Sequence, residues 1–288
     1  MNTALHSQKV PALSLIIAVY NRAQALEMIF ASLSNQTFSN FEVLIADDGS
    51  DEPFEEIIGR YQPAFLHPIR HVRQEHRGFR KTVIVNKAAD CATSSYLVFI
   101  DGDCILHHRF LERHFVRRSP GVVLSGRRVE LSSELTSRVT LRDVQSRRIE
   151  SPLFWWKGSG SYTRRRGLYV PYIFHFRRLS GRNYRILGSN FSIFKSDFLA
   201  VNGYDERIIS RGMEDSNLNE RLVLHGCVGR NVSGEAIQYH LFHHFDPVAH
   251  RAEALQQFCS PAGAWTPYGI KKSDSAETGR PSPAIPTS

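Results

Sequence analysis

The sequence has no apolar run long enough to cross a membrane as a helix. Its longest early run, Leu13–Val19, has seven residues, whereas a spanning helix needs about 20. A secretory signal peptide is also disfavoured, because only Lys9 precedes the run and Tyr20, Asn21 and Arg22 follow it where a small-residue cleavage site would stand. The run predicts a buried strand instead, and we expect a cytoplasmic protein.

Cysteine is scarce and unpaired in sequence. The four cysteines are Cys91, Cys104, Cys227 and Cys259, and no two of them form a C-x-x-C pair. This spacing argues against a zinc cage or a disulfide framework. We expect free, buried thiols in a reducing compartment.

Acidic residues are few in one segment, which we call the basic aromatic segment (126–188). It holds 14 Arg and Lys against 4 Asp and Glu, while the rest of the chain holds 22 against 24, so this segment carries the whole formal excess of +8. It also contains Trp155 and Trp156. Three interpretations stay open: an anionic membrane or glycolipid surface, a nucleic-acid surface, and a solvated basic face. No nucleic-acid module accompanies the segment, so we expect no nucleic acid as partner.

The first hundred residues alternate between strand and helix patterns. The predicted strands are 13–19, 41–46, 69–72, 96–100 and, later, 187–194. The predicted helices are 23–33, 53–61, 80–92, 195–201 and 213–225. This alternation predicts an α/β protein with a mostly parallel central sheet flanked by helices. We expect a single domain over 10–250 and a disordered tail over 272–288, which is rich in Ser, Pro, Ala and Thr.

Two acidic clusters follow predicted strands, where ligands bind in parallel sheets. Asp101 and Asp103 lie one residue apart, so both carboxylates can face one Mn²⁺ or Mg²⁺ ion that bridges phosphates. A polar turn is the alternative. Asp47 and Asp48 precede Gly49, and a carboxylate there can accept a hydrogen bond from a uracil ring, or the cluster can be a simple turn.

Two later motifs suggest chemistry. Glu214 and Asp215 stand at a predicted helix start, where acidic residues favour the helix dipole. The functional interpretation makes Asp215 a general base that deprotonates an acceptor hydroxyl, with Glu214 binding the acceptor. His240 is the candidate third metal ligand, with His243 behind it; ordinary surface or core histidines are the alternative.

Together these motifs resemble a known family. The matching stretches are Ala18-Val19-Tyr20-Asn21-Arg22, Asp47-Asp48-Gly49-Ser50, Phe99-Ile100-Asp101-Gly102-Asp103, Gly188-Ser189-Asn190-Phe191, Val201-Asn202-Gly203-Tyr204-Asp205-Glu206 and Glu214-Asp215. They resemble glycosyltransferase family 2. The later motifs are similar to the galactosyltransferase-type carboxyl-terminal region of chondroitin-polymerase-like enzymes.

The resemblance implies a GT-A fold, with a Rossmann-like nucleotide-sugar-binding half (10–125) and an acceptor-binding half (126–250). It implies an inverting transferase that uses a nucleotide-diphosphate sugar, with UDP as the expected nucleotide. Asp101, Asp103 and His240 would hold the metal, and Asp215 and Glu214 would act in catalysis. The residues expected to contact the donor are Tyr20, Arg22, Asp47, Asp48, Arg80, Lys81, Asp101 and Gly102.

The expected acceptor is a glycan or lipid-linked glycan in the biosynthesis of cell-surface polysaccharide or lipopolysaccharide. The basic aromatic segment then docks on an anionic membrane, which predicts a peripheral position on its inner face. One alternative is a catalytically inactive binding protein on the same fold. Another is a nucleotidyltransferase, but such enzymes usually carry a glycine-rich loop after the first strand, where this sequence has Tyr20, Asn21 and Arg22.

Overall fold

The structure of the chain is a computed structural model that describes residues 10–156, 164–170, 185–209, 212–244 and 261–272. The strands are β1 Leu13–Val19, β2 Phe41–Asp47, β3 Ile69–Arg73, β4 Tyr96–Asp101, β5 Cys104–Leu106, β6 Val122–Ser125, β7 Val129–Glu130, β8 Asn190–Phe194, β9 Val228–Asn231 and β10 Gln238–His240. The α-helices are α1 Ala23–Leu33, α2 Glu55–Tyr61, α3 Lys81–Cys91, α4 Phe110–Arg117, α5 Ser133–Arg138, α6 Leu141–Gln145, α7 Pro152–Trp155, α8 Lys195–Ala200 and α9 Glu214–Leu224.

A seven-stranded sheet in the order β3-β2-β1-β4-β8-β6-β9 forms the centre of the fold. Strands β3, β2, β1 and β4 run parallel to one another, as do β6 and β9. Strand β8 runs antiparallel to both β4 and β6. The predicted α/β architecture with a mostly parallel sheet is therefore confirmed, whereas the direction of β8 was not predicted.

Strand β1 shows why the sheet is covered on both faces. Leu15 and Ile17 pack in the core cluster that contains residues of α1 and α4, while Ile16 packs in the cluster that contains residues of α3, α8 and α9. Side chains alternate between faces along a strand. A continuous apolar run therefore fits a strand that is buried on both sides.

The helix boundaries differ slightly from the predictions. Helix α2 begins at Glu55 rather than at position 53, and α3 begins at Lys81 rather than at position 80. Arg80, which precedes α3, has φ −129° and ψ 34° and therefore stands just outside the helix. Helix ends commonly shift by a residue or two because the terminal turn is only partly hydrogen-bonded.

A second sheet of three short strands, in the order β5-β10-β7, was not predicted. In its register, His240 lies opposite Cys104 on one side and Glu130 on the other. Strands of two or three residues give too short a pattern to detect in sequence. This small sheet brings three distant segments of the chain together at one histidine.

Several predictions fall wholly or partly outside the described residues. The basic aromatic segment is described over 126–156, 164–170 and 185–188, and the predicted tail only at Lys272. Cys104 and Cys227 are free and buried, as predicted, whereas Cys91 is free but exposed at the end of α3, so the prediction of a buried thiol is wrong there. Cys259 lies outside the described residues. Within the described ranges, no helix is long and apolar enough to span a membrane. The division into two halves stays a prediction.

Candidate active site at the carboxyl edge of the sheet

The register of the central sheet brings the two predicted acidic clusters together. Residue Val19 pairs with Asp47 in β2, and its neighbour Ala18 pairs with Asp101 in β4. Both clusters therefore flank the end of β1, as expected for the carboxyl ends of adjacent parallel strands. Gly102 closes this edge, because its N–H donates to the carbonyl of Ala18 at 2.7 Å and a Cβ there would lie 2.9 Å from the Val19 side chain.

Asp47 is turned into the protein. One carboxylate oxygen accepts hydrogen bonds from the amide (2.8 Å) and hydroxyl (2.6 Å) of Ser50, and the other lies 3.0 Å from Nε2 of His71. Burial acts to raise the pKa of this carboxyl, but the hydrogen bonds from His71 and Ser50 outweigh it and lower the pKa. Asp47 thus holds the turn that follows β2, and its contact with a nucleotide stays a prediction.

Asp48 is buried beside two polar donors. Its carboxylate accepts hydrogen bonds from Nε2 of Gln74 at 2.6 Å and from the amide of Arg80 at 2.8 Å. Next to it, the ring of Tyr20 stacks on His76 with centroids 4.2 Å apart, and Nδ1 of His76 lies 3.0 Å from the Asp48 carbonyl. The Tyr20 side chain is 37% exposed. Three residues that were predicted from separate motifs to contact the nucleotide sugar, Tyr20, Asp48 and Arg80, therefore lie close together.

Lys81 connects the D-x-D motif to the Glu-Asp motif. Its ammonium group donates to Oδ1 of Asp101 at 2.7 Å and lies 4.0 Å from Oε1 of Glu214. The other oxygen of Asp101 lies 4.0 Å from the guanidinium of Arg128. Burial acts to lower the pKa of Lys81, but the charges of Asp101, Asp215 and Glu214 outweigh it and raise the pKa. This environment of carboxylates therefore favours the charged form of Lys81.

Three side chains form a group that could hold a metal ion: Asp103, His240 and His243, with one ligand atom of each within 4.8 Å of the others. Nε2 of His240 lies 3.4 Å from one oxygen of Asp103, and Nε2 of His243 lies 3.3 Å from the other. Carboxylate oxygen together with imidazole nitrogen is a donor set that suits divalent transition metals such as Mn²⁺.

The surroundings of His240 fit a metal ligand. Its Nδ1 lies 2.7 Å from a carboxylate oxygen of Glu130, so Nδ1–H can donate to Glu130 while Nε2 faces Asp103. Such a carboxylate behind a ligating histidine fixes the ring and its tautomer. Burial acts to lower the pKa of His240, but its hydrogen bonds with Asp103 and Glu130 raise it to about 9. A bound cation would take the place of the proton on Nε2.

A second cluster of His107, His108 and Glu150 is less suited to a metal. Nδ1 of His107 accepts a hydrogen bond from the amide of Arg109 at 3.2 Å, which leaves the proton on Nε2. The Glu150 carboxylate is already held by the amide of His108 at 2.8 Å and by its Nδ1 at 2.6 Å. This cluster joins the residues after β5 to the short 3-10 helix Arg148–Glu150 rather than presenting free ligand atoms.

Asp215 lies at the start of α9, where Gly188 approaches it closely. The amide of Gly188 donates to Oδ2 at 2.8 Å and the hydroxyl of Tyr204 donates to Oδ1 at 3.2 Å. Burial, followed by the charge of Asp101, raises the pKa of Asp215 against the opposing charge of Lys81. A carboxylate with a raised pKa is suited to accept a proton near neutral pH.

Glu214 is 4% exposed and accepts a hydrogen bond from the amide of Gly212 at 2.6 Å. Burial and the neighbouring charge of Asp215 raise its pKa to about 7, while Lys81 acts in the opposite direction. Two adjacent carboxyls therefore share one cation, an arrangement common where protons are moved.

A cavity of about 260 Å³ adjoins the metal-ligand group on the side of α1. Its lining includes Arg22, Met28, Glu52, Asp103 and Phe242. Arg22 is exposed at the amino end of α1. The cavity thus joins a predicted donor residue to a predicted metal ligand.

Sequence reasoning missed Glu130, Arg128 and the pairing of Lys81 with Asp101. It included Gly188 and Tyr204 only within the family motifs and did not predict their contacts with Asp215. It placed His243 only behind His240, whereas both rings face Asp103. Glu130 and Arg128 lie in the basic aromatic segment, where excess charge gave no sign of an individual role. Asp101 accepts a hydrogen bond from Lys81 and does not belong to the Asp103–His240–His243 group, so its role as a metal ligand stays a prediction.

The chain is similar to known protein families and to characterised proteins. The family model described as glycosyl transferase family 2 matches residues 14–183, and the one described as the N-terminal domain of galactosyltransferase matches residues 174–245. The chain is similar to chondroitin synthase of Escherichia coli, at 29% identity over 80% of this chain and 35% of that protein. It is also similar to validoxylamine A glucosyltransferase of Streptomyces hygroscopicus subsp. jinggangensis, at 26% identity over 75% and 52%. The chain therefore spans between a third and about half of the length of these relatives.

Solved structures show the same fold. The S. aureus TarS structure has a TM-score of 0.55 at 17% identity, covering 80% of this chain and 36% of that one. TarS 1–349 in complex with UDP-GlcNAc also has a TM-score of 0.55, at 16% identity over 82% and 60%. The predicted GT-A fold, the galactosyltransferase-type carboxyl-terminal region and the assignment as a transferase are confirmed. Because the family model matches more than half of the chain, the protein belongs to glycosyl transferase family 2.

Proposed function

We propose that this chain transfers a sugar from a nucleotide-diphosphate donor to a hydroxyl group of a glycan or glycolipid, with inversion at the anomeric carbon. One observation supports the proposal above others. Three parts of the candidate site share one edge of the sheet, linked by the pairing of Lys81 with Asp101. They are the surroundings of Asp48, the Asp103–His240–His243 group and the Asp215 carboxylate. Such an edge offers separate places for a base, a diphosphate and an attacking hydroxyl.

The donor residues divide by position. Tyr20, with its partly exposed ring on His76, and Asp48 beside Arg80 are placed to contact the nucleotide base. Asp47 supports this pocket through the turn at Ser50. UDP is the proposed nucleotide, since a uracil ring offers both a stacking face and an N–H donor, and the similar TarS 1–349 was solved in complex with UDP-GlcNAc.

The diphosphate side takes the remaining donor residues. Arg22 and Lys81 supply positive charge, Asp101 lies beside the position proposed for the ribose, and Gly102 lets the backbone pack tightly at the strand end. Asp103, His240 and His243 would hold Mn²⁺ or Mg²⁺, with Asp101 as a further ligand if it exchanges Lys81 for the ion. When bound, the ion neutralises charge on the departing diphosphate.

The reaction we propose is a single displacement. Asp215 takes the proton of the acceptor hydroxyl, whose oxygen forms a bond to the anomeric carbon as the bond from that carbon to the diphosphate oxygen breaks. The raised pKa of Asp215 suits it to this transfer. Glu214, whose pKa of about 7 leaves it able to donate or accept a hydrogen bond, would orient the acceptor.

The acceptor side includes the described parts of the basic aromatic segment. Leu153 is 93% exposed and Trp156 is 41% exposed, close in sequence to the exposed Arg147 and Arg148. Apolar side chains beside cations favour the surface of an anionic bilayer. We therefore extend the proposal to a lipid-linked acceptor at the inner face of a membrane, in the biosynthesis of polysaccharide or lipopolysaccharide.

A panel of nucleotide sugars tests the function. Wild-type protein is incubated with each donor, with Mn²⁺ or with chelator, and the release of nucleoside diphosphate is followed. Slow, metal-dependent release from one donor is the expected result and names the sugar. If no donor is hydrolysed, the panel is repeated with candidate acceptors. Donor binding by calorimetry without turnover under either condition would support an inactive binding protein instead.

A further inference from the structure

The carboxylate of Asp215 is fixed from two sides. Gly188 donates to one oxygen at 2.8 Å, and a Cβ at Gly188 would lie 2.2 Å from the other carboxylate oxygen. Tyr204 donates its hydroxyl hydrogen to that second oxygen at 3.2 Å. With one donor on each oxygen the carboxylate cannot rotate freely, so its remaining lone pairs keep a set direction.

Tyr204 is itself held in place. It is 2% exposed, and its backbone amide and carbonyl both bond the Asn86 side chain, at 2.8 Å and 2.9 Å. Its ring lies edge-on to Phe198, with centroids 6.0 Å apart. Asn86 belongs to α3, the helix that begins with Lys81. Burial and the charge of Asp215 raise the pKa of the Tyr204 phenol, so it stays a neutral donor.

A segment near the end of the chain, residues 261–272, clamps the loop that precedes Tyr204; we call it the C-terminal strap. Nδ2 of Asn202 donates to the carbonyls of Thr266 at 2.7 Å and Lys271 at 2.8 Å, and the Lys271 amide donates back to Oδ1 at 2.8 Å. Asn202 has φ +64°, a left-handed conformation that asparagine adopts more readily than most residues.

The C-terminal strap can pack against the loop that precedes Tyr204 because its residue Gly269 has no side chain. A Cβ at Gly269 would lie 1.7 Å from the carbonyl oxygen of Asn202, which is a backbone atom that cannot move aside cheaply. The amide of the next residue, Ile270, donates to that same oxygen at 3.1 Å. The strap therefore docks backbone to backbone against the loop that carries Tyr204.

We infer that Tyr204 is a positioning residue for Asp215 and that the C-terminal strap, through Asn202, keeps it in position. The inference rests on the proposed function, in which Asp215 is the base. The charged groups around Asp215 are Lys81 from α3, Asp101 from β4 and Glu214 from its own helix. Of the two hydrogen-bond donors that the described part of the chain gives Asp215, the Tyr204 hydroxyl is the one that a side-chain substitution removes.

The first test compares Tyr204→Phe with Tyr96→Phe. Both variants delete a buried hydroxyl. Tyr96 is 1% exposed, lies at the opposite end of β4 from Asp101, and has its hydroxyl 2.6 Å from the hydroxyl of Ser192. For Tyr204→Phe, kcat falls about 10-fold or more with little change in donor KM. The acid limb of the pH–rate profile moves to higher pH, because a hydrogen bond to the ionised carboxylate is lost. Tyr96→Phe leaves the profile unchanged.

The second test compares two glycines of the strap. In Gly269→Ala the new methyl group blocks docking, so kcat falls and the acid limb moves in the same direction as in Tyr204→Phe. In Gly263→Ala the new Cβ meets nothing within 4 Å, and no change is expected. Thermal melting of all four variants reports whether each is folded, and Gly269→Ala changes no residue in contact with Asp215.

A direct titration separates this inference from the proposed function. Carbon-13 NMR of labelled aspartate, with the Asp215 signal assigned from Asp215→Asn, reads the Asp215 pKa without any turnover. A higher Asp215 pKa in Tyr204→Phe and in Gly269→Ala supports the inference even if the wild-type protein transfers no sugar. An Asp215 titration and a pH–rate profile that match wild type in folded Tyr204→Phe would overturn it, whatever donor the wild type uses.

Discussion

The ammonium group of Lys81 lies 2.7 Å from Oδ1 of Asp101 and 4.0 Å from Oε1 of Glu214. One cation at the start of α3 therefore serves both the D-x-D motif at the end of β4 and the acidic pair that opens α9. This contact couples the proposed donor side to the proposed catalytic side. It also means that the acidic motifs are balanced by a residue of the protein itself.

Replacing Lys81 with Met is expected to lower the free energy of unfolding at pH 7 by about 3 kcal/mol, because partly buried carboxylates lose their cation. Denaturant unfolding measures the change. Arg138→Met is the matched control, since Arg138 and its partner Glu134 are 73% and 84% exposed and such a pair contributes at most about 0.5 kcal/mol. Equal losses in the two variants would contradict the role given to Lys81.

Asp215→Asn is expected to reduce transfer by about 100-fold to 10,000-fold, the range for loss of a general base. Asparagine keeps the size of the side chain, so nucleotide binding measured by calorimetry should stay near the wild-type value. Asp90→Asn, an exposed position near the far end of α3, serves as the control. Normal turnover by Asp215→Asn would place the base elsewhere.

Glu130→Gln is expected to weaken Mn²⁺ binding by about 10-fold to 100-fold, the usual effect of losing the carboxylate behind a ligating histidine. The amide can still accept from Nδ1 of His240, but it no longer carries the charge that supports the ligand. Calorimetric titration with Mn²⁺ measures the affinity. Glu134→Gln, at an exposed position, should bind the ion as wild type does; a matching affinity in Glu130→Gln would remove Glu130 from the site.

Glu214→Gln is expected to change how stability depends on pH. Burial and the charge of Asp215 raise the pKa of Glu214 from 4.5 to about 7, so the folded state binds its proton more tightly than the unfolded state does. The stabilisation from that proton is complete below pH 4.5 and is lost as pH rises through 7. Relative to wild type, the variant should therefore gain about 3 kcal/mol as pH rises through this range, since one pKa unit corresponds to about 1.4 kcal/mol. Denaturant unfolding at a series of pH values checks this, and parallel curves would contradict it.

Substituting Trp155 and Trp156 together with alanine is expected to weaken binding to vesicles that contain anionic lipid. Sedimentation with anionic and with neutral vesicles measures the binding, and wild type should prefer the anionic ones, more so at low salt. Trp265→Ala is the control, because Trp265 is 47% exposed but lies outside the basic aromatic segment. Unchanged vesicle binding by the double variant would contradict the proposal that this segment docks on a membrane.

Much of the fold follows from local patterns. Strand β1 and helix α1 have the predicted bounds, because a continuous apolar run and a 3.6-residue apolar period are each complete within one element. The acidic residues at the ends of β2 and β4 were also identifiable, since parallel strands present their carboxyl ends at one edge. Their placement on either side of β1, with Asp47 opposite Val19 and Asp101 opposite Ala18, depends on the strand order, which the sequence did not predict.

Other parts of the site depend on contacts between distant segments. The Asn86 side chain meets the Tyr204 backbone across 118 positions, and no local pattern marks either residue for the other. Likewise, the antiparallel direction of β8 places Gly188 at the edge where β4 ends.

By itself, the sequence determined the α/β class, the family motifs and which carboxylates end the strands, because hydrophobic period and strand-end position are local properties. Only the tertiary structure decided which partner each carboxylate has. It paired Asp101 with Lys81, Asp103 with two histidines, and Asp215 with Gly188 and Tyr204. Those pairings depend on how buried charges are satisfied once the segments pack together, and that condition exists only in the folded chain.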